Sequence, residues 1–205
     1  MPSVDRVPCV VTGGRVVIAE DEALIRMDLR EMLEEEGYQV LAEAADGEEA
    51  VALVTQHRPD LAILDVKMPL LDGISAAERI AAARIAPVVM LTAFSQRELV
   101  ERARDAGAMA YLVKPFSKAD LVPAIEMAMA RYDEQSTLER EVADLRERLE
   151  VRKVVDRAKG LLQARHGLDE AAAYRWIQRA SMDQRTSMRA VAELVVGELA
   201  GPAGP

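Results

Sequence analysis

In Arg15-Val16-Val17-Ile18-Ala19-Glu20-Asp21 a short apolar run ends on two carboxylates. The same figure recurs downstream. Leu61-Ala62-Ile63-Leu64 ends on Asp65, Val88-Val89-Met90-Leu91 on Thr92, and Ala110-Tyr111-Leu112-Val113 on Lys114-Pro115. Apolar runs of this length, separated by helix-length segments, read as strands of a parallel sheet buried on both faces. Such a sheet binds its ligand outside the carboxyl ends of its strands. The four termini are therefore expected to converge, with three carboxylates, a hydroxyl and an ammonium in one crevice.

Charge suggests what that crevice does. Clustered carboxylates repel one another, and a hard divalent cation relieves the repulsion. Mg²⁺ favours a few carboxylates together with water and phosphate oxygens. With the Lys114 ammonium as a second positive point, the site suits a phosphoryl group. A carboxylate can itself be the nucleophile that takes that group up, and Asp65 is the candidate. Any one of these residues alone would read as an ordinary polar strand end. Their recurrence at successive strand ends carries the argument.

The alternation is predicted as strand 15–20, helix 21–36, strand 38–43, helix 47–57, strand 60–65, helix 73–84, strand 87–92, helix 96–106, strand 109–113 and helix 117–131. Gly37, Pro87 and Gly107 punctuate the joins. Five strands alternating with five helices make an α/β doubly wound parallel sheet. Residues 1–14 are expected to be a flexible arm. They lack the apolar stretch of a signal peptide.

Composition narrows the function classes. The chain has 205 residues, half of them hydrophobic but only 3% aromatic, so the core is aliphatic. One cysteine, Cys9, excludes an internal disulfide, and with only His57 and His166 beside it a zinc site is not expected. Both facts fit a cytoplasmic location. No apolar run is long enough to span a membrane. The net charge is −9. Residues 1–130 hold 13 Lys and Arg against 22 Asp and Glu, whereas residues 151–205 hold nine against six. Only the C-terminal end offers a polyanion a favourable surface, although charge alone favours an ordinary solvated helical surface there.

Residues from about 13 to 131 resemble the receiver domain of bacterial two-component response regulators. The residues that carry the resemblance are Glu20-Asp21, Asp65-Val66-Lys67-Met68-Pro69 with Asp72-Gly73, Thr92-Ala93, and Tyr111 followed by Lys114-Pro115-Phe116. It implies a flavodoxin-like sheet of order 2-1-3-4-5, with Asp65 as the acceptor of phosphate from a sensor histidine kinase. It also implies Mg²⁺ held by Asp21 and Asp65 directly, by Glu20 through water and by the backbone carbonyl of Lys67. Thr92 and Tyr111 look like the switch pair, and Lys114 like the bridge to the phosphoryl group. Glu20 stands where an Asp is common, which keeps an oxygen ligand on a longer arm.

Beyond 131 the strands stop. Leu138, Val142, Leu145 and Leu149 step by heptad spacing through a charged stretch, 132–150, read as a helical linker. The seam suits either a homodimer coiled coil or packing on the first domain, and it continues the helix that begins near Ser117. Three helices are predicted after it: Val151–Arg165 stopping at Gly167, a second capped by Asp169 and running to about Ala180, and a third over Gln184–Leu199. The second places Ala172, Ala173, Trp176, Ile177 and Ala180 on one face, which assigns the sole tryptophan to the core. Residues 201–205 read as a flexible tail.

The small all-α domain at 151–200 resembles the ANTAR domain of antitermination regulators. The matching residues are Val155-Asp156-Arg157-Ala158-Lys159-Gly160-Leu161-Leu162, Ala172-Ala173-Tyr174, Ala180-Ser181-Met182 and Val191-Ala192. The resemblance implies binding to RNA stem-loops and release of transcription from termination. Candidate RNA contacts are Arg157, Lys159, Arg179, Arg185 and Arg189, with Tyr174 as a stacking platform. For each of these the plain alternative is a solvated helical surface.

Other outputs fit the same receiver. A DNA-binding helix-turn-helix is disfavoured because the turn lacks its usual Gly and Trp176-Ile177 with Ala180 reads as buried. A protein-binding output remains open. An enzyme is not expected: phosphatases of the dehalogenase kind need a second carboxylate two residues after the nucleophile, and Lys67 stands there.

Overall fold

The computed structural model describes residues 13–93 and 97–199. The expected arm, apart from Gly13 and Gly14, and the expected tail 201–205 lie outside them. The chain forms two compact units, residues 1–135 and 136–205. In the first, β1 (Arg15–Ala19), α1 (Ala23–Glu35), β2 (Gln39–Ala44), α2 (Gly47–His57), β3 (Leu61–Asp65), α3 (Gly73–Ala82), β4 (Val88–Thr92), α4 (Arg97–Asp105) and β5 (Ala110–Val113) precede α5 (Lys118–His166). The sheet is parallel throughout, in the order β2-β1-β3-β4-β5.

Successive strand residues face opposite sides of a sheet, so each continuous apolar run feeds two cores. Val17, Ala62, Leu64, Val88 and Met90 pack with Ala50 and Val54 of α2, Ile74, Ala77 and Ile80 of α3, and Ala103 of α4. Val16, Ile18, Ile63, Val89, Leu91 and Leu112 pack on the other face with Leu29 and Leu33 of α1 and Leu121, Ile125 and Ala128 of α5. Every residue of β3 and β4 is buried. This double coverage explains why these strands read as unbroken apolar runs.

Several boundaries differ from expectation. β1 stops at Ala19 and α1 starts at Ala23, so Glu20 and Asp21 sit in the loop between them rather than on the strand and the helix. Such a loop lets both carboxylates turn into the crevice. The stretches expected as a helix at 117–131, a linker at 132–150 and a helix at 151–165 are one continuous helix, α5. Ser117 caps its start: its hydroxyl donates to Asp120 at 2.7 Å and its backbone N–H at 3.0 Å.

The second unit packs Val155, Ala158 and Leu162 of α5 against Ala173 and Ile177 of α6 (Glu170–Asp183) and Val191, Ala192 and Val195 of α7 (Met188–Leu199). Asp169 caps α6 by accepting from the Ala172 N–H at 2.6 Å. α6 runs three residues beyond the expected end, and α7 starts four residues after the expected Gln184. The reason is local: Arg185 takes φ +52°, which no helix continues through, and Ser187 Oγ accepts from the Ala190 N–H at 3.1 Å as the new cap. Trp176 is not in the core. Ala173 and Ile177 are fully buried, which rotates Trp176 out of the packed face and leaves it 47% exposed. Among the described residues no helix is long and apolar enough to cross a membrane.

Candidate functional site

The strand register assembles the site. Ala19 pairs with Leu64, so the residues that follow them, Glu20 and Asp65, emerge side by side. Asp65 pairs with Leu91 and Thr92 with Val113, which brings Thr92 and Lys114 to the same sheet end. The Lys114 N–H donates to the Thr92 carbonyl at 2.7 Å, and the Val66 N–H to the Leu91 carbonyl at 2.9 Å. One carboxylate oxygen from each of Glu20, Asp21 and Asp65 lies within 4.8 Å of the other two. Lys114 Nζ reaches Glu20 Oε2 at 2.5 Å and Asp65 Oδ1 at 3.0 Å. The expected convergence of three carboxylates and one ammonium is thus present in the geometry.

Its electrostatics are strained toward cation binding. Glu20 is fully buried, and Asp65 nearly so. Burial raises the Glu20 carboxyl above its ordinary range; the Lys114 hydrogen bond opposes the rise and the charge of Asp65 adds to it. Burial alone would lower Lys114, but its hydrogen bonds to Glu20 and Asp65 outweigh that and hold it above the usual lysine range. At an effective dielectric of 20, each carboxylate pair at this spacing repels by about 3 kcal/mol. One ammonium against three carboxylates leaves two charges uncompensated. An all-oxygen donor set with that deficit fits a hard divalent cation, so the residues present suit Mg²⁺.

The loop after β3 is shaped around Asp65. The Lys67 N–H donates to Asp65 Oδ2 at 3.3 Å, and the Gly73 N–H to the Val66 carbonyl at 3.0 Å. Leu70 adopts φ +61° within this return. Gly73 is pressed against the candidate nucleophile's own backbone: a Cβ there would stand 1.8 Å from the Asp65 carbonyl oxygen. Gly73→Ala is therefore expected to cost about 3 kcal/mol in urea unfolding. Gly37→Ala, with no atom within 4 Å but φ +86°, is expected to cost only about 1 kcal/mol. Equal losses for the two variants would show that the contact with Asp65 is not the constraint.

Thr92 and Tyr111 share one face of the sheet, because Met90 pairs with Tyr111 and Thr92 lies two residues further along β4. Thr92 is buried, whereas Tyr111 is 51% exposed. A cavity of about 450 Å³ opens beside Asp21, lined by Lys67, Met68, Asp72 and Arg102 among others. Arg102 was missed at the sequence level. It lies on a charged helix, and nothing in its local pattern separates it from a solvated arginine.

The candidate RNA contacts are scattered over the second unit and differ in their surroundings. Arg157, Arg179 and Arg185 are exposed, and their side chains form no ion pair or hydrogen bond among the described residues. Lys159, expected as an exposed cation, is instead largely covered. It pairs with Asp156 on its own helix at 2.8 Å and ties α5 to α6 through Glu170 at 2.9 Å. Arg189 is exposed but paired with Glu193 at 2.8 Å. Tyr174 is half exposed on α6.

Two protein families match the chain: the response regulator receiver domain over residues 16–126 and the ANTAR domain over residues 143–196. The chain is 67% identical over 188 residues to the transcriptional regulatory protein PdtaR of Mycobacterium tuberculosis, covering 92% of each. Its first unit is similar to the receiver domain of the response regulator NarL from Mycobacterium tuberculosis, with 29% identity and a TM-score of 0.56 over 58% of this chain and 97% of that one. It is likewise similar to the receiver domain of a modulated diguanylate cyclase from Desulfovibrio desulfuricans, with 36% identity and a TM-score of 0.55 over 60% and 98%.

Proposed function

The chain belongs to the response regulators that join a receiver domain to an ANTAR domain, and on that premise we propose that it is a phosphorylation-controlled RNA-binding regulator of transcription antitermination. The observation that carries this reading is the Glu20, Asp21 and Asp65 cluster held against Lys114 at the sheet's carboxyl end. The receiver is assigned to 15–131, the linker to 132–150 and the RNA-binding domain to 151–200.

Asp65 is the phosphoacceptor. Its carboxylate oxygen attacks the phosphorus of a phosphohistidine on a sensor kinase, the P–N bond breaks, and the imidazole leaves with the bond's electron pair. Glu20, Asp21, Asp65 and the Lys67 carbonyl would hold Mg²⁺, which when bound neutralises charge on the phosphoryl oxygens. Lys114 moves from its carboxylate partners toward the new phosphoryl oxygens. Thr92 donates its hydroxyl to them, and the half-exposed Tyr111 turns into the space that Thr92 leaves. The β4–β5 face that carries both side chains transmits the change. Asp65 has no second carboxylate two residues on, which supports a phosphoacceptor rather than an enzyme turning over external substrates.

The output is RNA binding in the cytoplasm, with stem-loops as ligands. Arg157, Arg179 and Arg185 are the favoured phosphate contacts because no carboxylate has to be displaced from them. Lys159 is better read as the clamp between α5 and α6. The exposed seam Leu138, Val142, Leu145 and Leu149 would pair two copies. Two linked sites on one RNA gain from effective concentration, so a modest conformational bias changes affinity strongly.

The test is RNA affinity of the full chain with and without a small phosphoryl donor and Mg²⁺. Phosphorylation is expected to tighten binding to a two-stem-loop RNA by about tenfold or more. Preference for duplex DNA would favour a DNA-binding regulator. Binding to neither nucleic acid in either state would leave a protein-binding output.

A further inference from the structure

We propose that Trp176 is a base-stacking residue of the RNA surface, with Arg175 and Arg179 beside it as phosphate contacts; this rests on the RNA-binding reading above. Trp176 is the chain's only tryptophan, and it stands half exposed on α6 while the residues that bury that helix, Ala173 and Ile177, are fully covered. Arg179 follows Trp176 by three residues and Arg175 by four, so the three side chains are neighbours on the outer surface of the helix. Both arginines are exposed, and neither side chain forms an ion pair or hydrogen bond among the described residues. The one carboxylate of α6 on this side is Asp183, in the last residue of the helix.

Charge complementarity selects the occupant. The chain carries a net −9, yet residues 171–187 hold Arg175, Arg179 and Arg185 against Asp183 alone, Arg189 beyond them being paired with Glu193. A local excess of arginine around an exposed indole suits a single-stranded polyanion whose bases stack on the ring while its phosphates meet the guanidinium groups. The large indole face stacks on any unpaired base, and loops are where RNA presents unpaired bases.

Tyr174 is less suited to stacking a base than Trp176. Residues 174 and 176 lie 200° apart around a helix, so the two rings leave α6 on different sides. Tyr174 lines a groove of about 700 Å³ in which Asp144, Glu147 and Asp156 are matched by Arg148, Arg152 and Lys159. A groove whose charges balance offers a phosphate backbone no net attraction. Among the described residues of α6, the Trp176 side carries Arg175 and Arg179 against Asp183.

The experiment uses the full chain and an RNA pool of two tandem stem-loops with randomised loop bases, from which binders to the wild-type chain are selected. Because Trp176 is the only tryptophan, intrinsic fluorescence reports it directly. Titration with the selected RNA is expected to quench that emission strongly. Trp176→Ala should weaken affinity by about 10- to 100-fold, while Trp176→Phe, which keeps a stacking ring, stays within about threefold of wild type. Arg175→Ala combined with Arg179→Ala should reduce the slope of log affinity against log salt by about 1.4. Unchanged fluorescence with wild-type affinity in Trp176→Ala would overturn the inference and leave the RNA-binding reading standing. A Trp176→Ala variant that alters sedimentation but not RNA affinity would assign the ring to a contact between copies, which also overturns it. If the wild-type chain selects no RNA from the pool, both the inference and the reading beneath it fail.

Discussion

Asp65→Asn is expected to abolish acid-labile, hydroxylamine-sensitive phosphorylation, whether by a histidine kinase or by a small donor with Mg²⁺. The amide keeps the shape of the carboxylate but has no anionic oxygen to attack phosphorus. The variant should remain folded. Lys114 loses its 3.0 Å partner Asp65 but keeps Glu20 at 2.5 Å, so its ammonium is not orphaned. Removing one of three crowded carboxylates also relieves repulsion of about 3 kcal/mol per pair. The thermal midpoint in metal-free buffer should therefore stay level or rise, and the dependence of that midpoint on Mg²⁺ should weaken because a charged ligand is gone. Undiminished labelling of the variant would remove Asp65 from its assigned role. A large loss of stability without metal would instead mark Asp65 as a structural carboxylate.

Placing Asp at both Val142 and Leu145 is expected to leave a folded monomer. The four seam side chains are 44% to 58% exposed in the single chain, so the substitutions disturb no core within it. In a two-stranded seam they would put four carboxylates at a desolvated interface, weakening association on the order of a thousandfold. Sedimentation velocity over a concentration series reads the association, and receiver melting reads the fold. A wild-type chain that is monomeric at every concentration, phosphorylated or not, would show that the seam does not dimerise. A variant whose receiver melts early would show that these positions stabilise the first unit. If the dimer exists, its loss should also remove most of the gain in RNA affinity on phosphorylation, since that gain depends on two sites acting together.

The sequence alone determined the architecture of the first unit. Strands buried on both faces must be apolar throughout, so β1, β3 and β4 appear as unbroken runs with polar residues at their ends. Parallel connectivity then forces those ends to one side of the sheet, which is why Glu20, Asp21, Asp65 and Lys114 were legible as one cluster. What only the tertiary structure decided depends on neighbours that lie outside any local pattern. On α6, small and apolar residues at 172, 173, 176, 177 and 180 allow more than one rotational phase. The packing of Ala173 and Ile177 against α5 and α7 chose the phase that exposes Trp176. Lys159 is withdrawn from solvent by Glu170, eleven residues away on another helix, and no charge count along the chain distinguishes it from Arg157. The start of α7 was set by the left-handed turn at Arg185, closed by the Thr186 N–H donating to the Ser181 carbonyl at 3.0 Å. Gly73 read as the first residue of helix 73–84, but the contact that excludes a side chain there is with the Asp65 backbone, brought close by the fold. Strand burial is repeated over many residues and leaves a periodic mark on the sequence; a helix's rotation, an ion pair between helices and a backbone contact each rest on one or two atoms and leave none.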